Sequence, residues 1–142
     1  MKEGFFHGGP PGEASISIID SPIPEPKDNQ VLIKVIFSGS NPKDWKYSEY
    51  TKTDMNSGDD IAGDVEKVGK GVYEFKKGDR VAAFHQMVTP NGSFAEYAIA
   101  PAHTTFHLAE NVSLEEVGCS QTSNSRGPLL TLCRALRSLL RP

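Results

Sequence analysis

No cysteine occurs before position 119, and the two that do occur, Cys119 and Cys133, form no C-x-x-C. That excludes a disulfide framework or a cysteine knuckle in the body of the chain, and a reducing, cytoplasmic setting is expected. No apolar run approaches the ~20 residues that span a bilayer, so a membrane is not an expected partner. The opening MKEGFFHGGPPGEAS carries an early acid and no long apolar stretch, so it does not read as a secretory leader. No segment of repeat-protein length recurs.

Acids are missing from the end of the sequence. All 18 lie at or before Glu116. Residues 1–117 carry ten Lys and one Arg against those 18, a net charge of −7. Residues 118–142 carry four Arg, no Lys and no acid, a net charge of +4. The chain-wide −3 hides this break, and an acidic body is not what a nucleic-acid partner calls for.

What is present reads as short strands punctuated by turns. Ser15 to Asp20 alternates Ile16 and Ile18 with polar residues, and the proline-rich SPIPEPKDNQ that follows is extended. In VLIKVIFSG, Val31, Ile33, Val35 and Phe37 share one face. Asn41, Pro42 and Asp44 suit the N-cap, first and third positions of a short helix over 42–49. Further strands are expected at IAGDVEKVG, RVAAF, SFAEYAIA and His103 to Leu108, with turns at Phe75–Asp79 and Pro90–Gly92. The fold class expected is mainly β with short helices, a partly open barrel. Ser113 and Glu116 form an S-x-x-E capping box, with Val112 and Val117 placed as a hydrophobic staple. The sequence after it, GCSQTSNSRGP, is a poor helix. The division expected is a domain over 1–117 and a tail over 118–142.

Several linked motifs carry a family resemblance. GDDIAGDVEKVGKGVYEFKKGDRV, over 58–81, resembles the signature of the medium-chain dehydrogenase/reductase superfamily. VLIKVIFSGSNPKDWKY upstream and NGSFAEYAIAPAHTTFHLAENVSLEE downstream resemble the rest of that superfamily's GroES-like barrel domain, in the correct order. The N-P-x-D-W-K motif and the F-x-x-G-D-R-V close argue against a co-chaperonin with the same kind of barrel. Zinc alcohol dehydrogenases of the superfamily carry Cys where this chain has Asn41 and His near Asp59, and no cysteine-rich lobe is present. A catalytic zinc needs about three such ligands, so no metal site is expected, His103 and His107 included. The resemblance is to the zinc-free branch of quinone and enoyl reductases, and N-P-x-D-W-K is similar to fungal stand-alone trans-enoyl reductases.

The resemblance implies hydride transfer from NADPH to an activated C=C or carbonyl of a small enoyl, enone or quinone substrate. In that branch the Asn lies beside the nicotinamide and the following helix lines the substrate cleft. Carried over, Asn41 and Lys46 become candidates for catalysis and cofactor binding, and Asp44, Trp45 and Tyr47 for the cleft. Negative charge building on the substrate oxygen needs a donor or cation, and Lys46 could meet it or a cofactor phosphate. Each residue also has a plainer reading: Lys46 as a solvated lysine, Asn41 as an N-cap, Trp45 as core, Asp59 and Asp60 as turn residues or acceptors, Tyr73 and His85 as rim. Relatives bind the dinucleotide on a Rossmann domain whose Gly-rich turn cradles the pyrophosphate. No G-x-G-x-x-G follows residue 117 here. These 142 residues are therefore expected to be inactive alone, and to self-associate through an exposed interdomain face. The tail reads either as a frame-shifted or intron-derived stretch, or as a short basic amphipathic helix. In that helix Leu129, Leu132, Cys133, Leu136 and Leu140 repeat at helical spacing with Arg134, Arg137 and Arg141 on another face, and the barrel becomes a non-catalytic binding module.

Overall fold

A computed structural model describes residues 1–10, 13, 15–114 and 117. Its strands are β1 (Lys2–His7), β2 (Ser15–Asp20), β3 (Gln30–Ser38), β4 (Asp60–Val68), β5 (Arg80–Phe84), β6 (Tyr97–Pro101) and β7 (Thr105–His107). The helix α1 (Pro42–Thr51) joins β3 to β4, and a 3-10 turn, Ala102–Thr104, precedes β7. β6, β3, β4, β5 and β7 form, in that order, one antiparallel sheet curled into a half-barrel, and β1 pairs with β2 as a separate hairpin. Bridges from Glu3 to Ala95 and from Phe6 to Met55 tether the hairpin to the rest.

The core follows from the central place of β3 and β4. Val31 and Ile33 of β3 and Ile61 and Val65 of β4 are buried in one cluster with Val81, Ala83, Ala98 and Ala100 from the flanking strands. A fully buried side chain of this kind contributes about 1.5–3 kcal/mol. Leu32, on the other face of β3, is buried too, although Lys34 on that same face is exposed. Register shifts between Leu32 and Ile33 and between Val35 and Phe37 bend β3, as bulges do in sheets that curl. Gly63 fits that bend: a Cβ there would collide with the Lys34 carbonyl oxygen. Arg80 fastens the end of the described chain to β5, its guanidinium donating to the carbonyls of Val112 at 2.9 Å and Glu110 at 3.2 Å.

β2 has the range read from the sequence, but its isoleucines are not core. Ile16 and Ile18 are 47% and 50% exposed, because β2 has only β1 beside it among the described residues. β1 itself was not expected: MKEGFFH lacks alternation, and its strand character comes from pairing with Ser15–Asp20. The strand expected over SFAEYAIA is confined to Tyr97–Pro101, and that over His103–Leu108 is shortened to Thr105–His107, its first two residues lying in the 3-10 turn. The hairpin leans on α1 at Gly8, where a Cβ would sit 2.6 Å from the Ser48 carbonyl oxygen and from the Lys52 backbone. The capping box at Ser113–Glu116, both cysteines and the tail helix fall wholly or partly outside the described residues.

Candidate functional site

The site assembles where β3 hands over to α1. Asn41 is the extended N-cap (φ −126°, ψ 152°) and Pro42 opens the helix, as the sequence predicts. The Asn41 backbone N–H donates to Asp44 Oδ2 at 2.7 Å, the reciprocal contact of a capping box. The Asn41 side-chain Nδ2 donates to Asp60 Oδ2 at 2.8 Å, which ties the helix entrance to the first residue of β4. Asn41, Asp44, Asp59 and Asp60 are all buried.

Lys43 holds the charges together. Its Nζ donates to Asp44 Oδ1 at 2.9 Å and, more closely still, to Asp59 Oδ2. The Ser57 hydroxyl donates to the Asp44 carbonyl at 2.5 Å and closes the knot. Burial pushes the Asp44 and Asp59 carboxyls above their ordinary value, and the Lys43 bonds pull only part of the way back. Desolvation alone would lower the Lys43 ammonium, but its bonds to Asp44 and Asp59 outweigh that and hold it above its ordinary value. Unpaired charges in this setting cost several kcal/mol, so the ammonium is a structural counter-ion.

Lys43 and Tyr47, one turn apart on α1, face a small cavity of about 70 Å³ with Asp59, Met55, Met87 and Val88. Of the residues expected from sequence, the structure places Tyr47 at this cavity and Asn41 and Asp44 in the polar knot beside it. Lys46 is exposed and Trp45 half-buried, and neither lines the cavity. Sequence reasoning passed over Lys43. N-P-K-D places it at the second helical position, but no local signal reveals that Asp59, sixteen residues on, meets it.

His85 corrects an expectation. It reads as a rim residue, yet it is 2% exposed. It leaves β5 and turns inward, where Nδ1–H donates to the Ile99 carbonyl of β6 at 2.6 Å. Nε2 lies 3.0 Å from both the carbonyl and the hydroxyl of Thr89. His85 thereby anchors the segment carrying Met87 and Val88. Tyr73 is exposed as expected. Asp59 and Asp60 both serve as hydrogen-bond acceptors. His103 and His107 are exposed, and among the described residues no three His, Cys, Asp or Glu side chains gather as metal ligands.

Comparison with known proteins fits this architecture. The profile of the alcohol dehydrogenase GroES-like domain matches residues 27–110. A trans-enoyl reductase of Gibberella fujikuroi is 50% identical over 118 residues, which cover 82% of this chain and 34% of the relative. A quinone oxidoreductase of Rattus norvegicus is 37% identical over 137 residues, 93% of this chain and 39% of the relative. The solved structure of Escherichia coli quinone oxidoreductase complexed with NADPH superposes with a TM-score of 0.71 at 25% identity, over 84% of this chain and 37% of that one. The chain thus spans between a third and two fifths of the length of these relatives. With the β3–α1–β4 site and the half-barrel in register with that profile, the chain belongs to the alcohol dehydrogenase GroES-like domain family, in the quinone and enoyl reductase branch of the medium-chain dehydrogenase/reductases.

Proposed function

We propose that this barrel is the substrate-side domain of an NADPH-dependent reductase that transfers hydride to an activated C=C or carbonyl of a small enoyl, enone or quinone. The observation that carries the proposal is the Asn41–Asp60 and Asp44–Lys43–Asp59 network. It fixes the start of α1 so that Asn41, Lys46 and Tyr47 project from one rigid helix. Asn41, held by Asp60, orients the nicotinamide end of the cofactor. Lys46 is exposed, while Lys43 is committed to two carboxylates, so Lys46 is the cation that meets a phosphate or the substrate oxygen. Tyr47 borders the cleft beside Lys43. Asp44 acts through Lys43 and the helix cap, and Trp45 through packing beside the cleft.

These residues fit the nicotinamide end of NADPH: one amide, one exposed cation and a firm helix start. Among the described residues no Gly-rich strand-to-helix turn is present to receive a pyrophosphate. When bound, the cofactor supplies the hydride. The protein residues orient it and offset the charge that develops on the substrate oxygen. Zinc does not fit the same place. Asn41 is engaged with Asp60, and the Lys43 ammonium already neutralises Asp59. The domain is read as residues 1–117, acting in the cytoplasm. No described helix is long and apolar enough to cross a membrane.

The test is a chimera in which residues 1–117 replace the matching part of the Gibberella fujikuroi trans-enoyl reductase. NADPH oxidation with an enoyl thioester is the readout. Activity is expected, with Lys46→Met lowering kcat/KM by about 100- to 1,000-fold, the range for removing one donor at a developing charge. A folded chimera that Lys46→Met and Asn41→Ala leave unchanged would refute the site assignment. The 142-residue chain alone is expected to give no turnover.

A further inference from the structure

Val88 stands in the left-handed region, at φ 64°. A β-branched side chain rarely adopts that conformation, and where it does the strain marks a place the surrounding structure over-determines. Its neighbours show what holds it. On the amino-terminal side, His85 is locked to Ile99 and Thr89. On the carboxy-terminal side, Asn91 also has positive φ, and Ile99 N–H donates to the Asn91 carbonyl at 3.0 Å. Between these anchors Met87 and Val88 are more than half exposed, although both are apolar.

Val88 and Met55 each line two separate cavities. One is the small cavity at Lys43 and Tyr47. The other, about 290 Å³, lies against the hairpin and is bordered by Phe5, Pro90 and Asn56. That volume is close to the lower limit of small-molecule pockets, about 300 Å³. Val88 therefore stands as a partition between the reaction cleft and a second chamber.

The charges around both chambers select what could enter. The ammonium of Lys43 is consumed by Asp44 and Asp59. The second chamber holds the buried Glu3, which accepts from Asn56 Nδ2 at 3.1 Å, and Asp54, paired with His7 at 3.0 Å. Neither chamber offers an uncommitted cation to a carboxylate or phosphate, while Phe5, Met55, Met87 and Val88 present apolar surface.

We propose that the chamber bounded by Phe5, Met55 and Val88 receives the uncharged, apolar tail of the substrate, and that Val88 is the partition that sets how long a tail is accepted. The inference rests on the reductase reading, because it takes the Lys43–Tyr47 cavity as the reactive end. Val88→Gly keeps the backbone conformation at no steric cost and removes the wall. Val88→Asn also tolerates the left-handed region, but leaves a polar side chain in the gap.

The methionines provide the probe. The chain has three: Met55 and Met87 border the Lys43–Tyr47 cavity, Met55 borders the second chamber as well, and Met1 immediately precedes β1. The 142-residue chain, labelled with ¹³C at the methionine methyls and ¹⁵N at the amides, is titrated with trans-2-enoyl N-acetylcysteamine thioesters of four, six, eight and ten carbons. Met55 and Met87 are expected to shift saturably and Met1 to stay still. In the wild-type chain affinity should level off beyond the shortest tails. In Val88→Gly it should keep rising, toward roughly fourfold per added methylene, the value for full burial. Val88→Asn should fold and keep the flat profile. Equal chain-length profiles in wild type and Val88→Gly, or a silent Met55, would overturn the inference. If Met87 and the Asn41 and Lys46 amides respond while the Phe5 amide does not, the reductase reading stands and the chamber assignment fails. Silence at all four residues removes both.

Discussion

β2 and β3 are written in much the same way and end in opposite surroundings. Both place isoleucine or valine at every second position, with serines between them in β2 and Leu32, Lys34 and Ile36 between them in β3. Ile33 of β3 is fully buried, whereas Ile18 of β2 is half exposed. The difference lies in their neighbours: β4 and β6 flank β3, while among the described residues β2 has only β1. Alternation shows that a segment can present an apolar face, and topology decides whether anything covers it.

The widest separation between the two strands is expected from truncating their isoleucines. Ile33→Ala should cost about 2–5 kcal/mol in urea unfolding, and Ile18→Ala no more than about 0.5 kcal/mol. Similar losses at both positions would show that the hairpin shares the core's cooperativity.

Next in size is the polar knot, the counterpart of the apolar core on the same sheet. Lys43→Met leaves Asp44 and Asp59 buried without their cation. Fully buried pairs broken in this way lose about 3–5 kcal/mol, and because Lys43 is about one third exposed the loss here should be about 2 kcal/mol at pH 7. The sign of its pH dependence follows from the raised carboxyls. Their folded form holds protons more tightly than the unfolded chain, so they favour folding increasingly as pH falls from their raised values toward the ordinary 3.8. Removing Lys43 raises them further. The gap in melting temperature between wild type and Lys43→Met should therefore narrow between pH 7 and pH 4.5. The exposed pairs of the hairpin run the other way. The bonds from Lys2 and His7 hold Asp20 and Asp54 below their ordinary value, so what those pairs contribute is lost as pH falls through and below 3.8. A gap that widens in acid would contradict the assignment of Lys43 as counter-ion.

A smaller contrast is colloidal. Ile16, Ile18 and Ile23 are exposed in and just after β2. Such a strand invites pairing with another chain. Self-association is expected in sedimentation, and Ile16→Lys with Ile18→Lys should reduce it. The smallest effect concerns Ser48 of α1, whose buried hydroxyl has no hydrogen-bond partner among the described residues. Ser48→Ala should raise stability by about 0.5–1 kcal/mol in the same urea assay, since an unsatisfied buried group is removed.

Much of the barrel could be read in the sequence because its signals are local. The Asn41–Pro42–Asp44 helix start, the β3 alternation and the G-D-R-V turn each lie within a few residues. Three features could not be read that way. β1 takes its strand form from a partner. His85 is buried by carbonyls of Ile99 and Thr89 that meet it only after β6 is in place. Lys43 gains its importance from Asp59, which stands just before β4, sixteen residues on. Family motifs pointed to α1 as the working helix, but they drew attention to Asn41 and Lys46 and passed over the residue that holds the helix start in place.

The contact of Gly8 with the last turn of α1 couples two parts of the molecule that look independent. With no side chain at Gly8, the hairpin backbone rests directly on Ser48 and Lys52, and Lys43 stands fewer than three turns away on the same rod. A bulkier residue at position 8 would clash with the far end of α1 and displace the helix or the hairpin. The buried knot of Lys43, Asp44 and Asp59 can thus be disturbed from the amino-terminal hairpin, without altering any side chain of the knot itself.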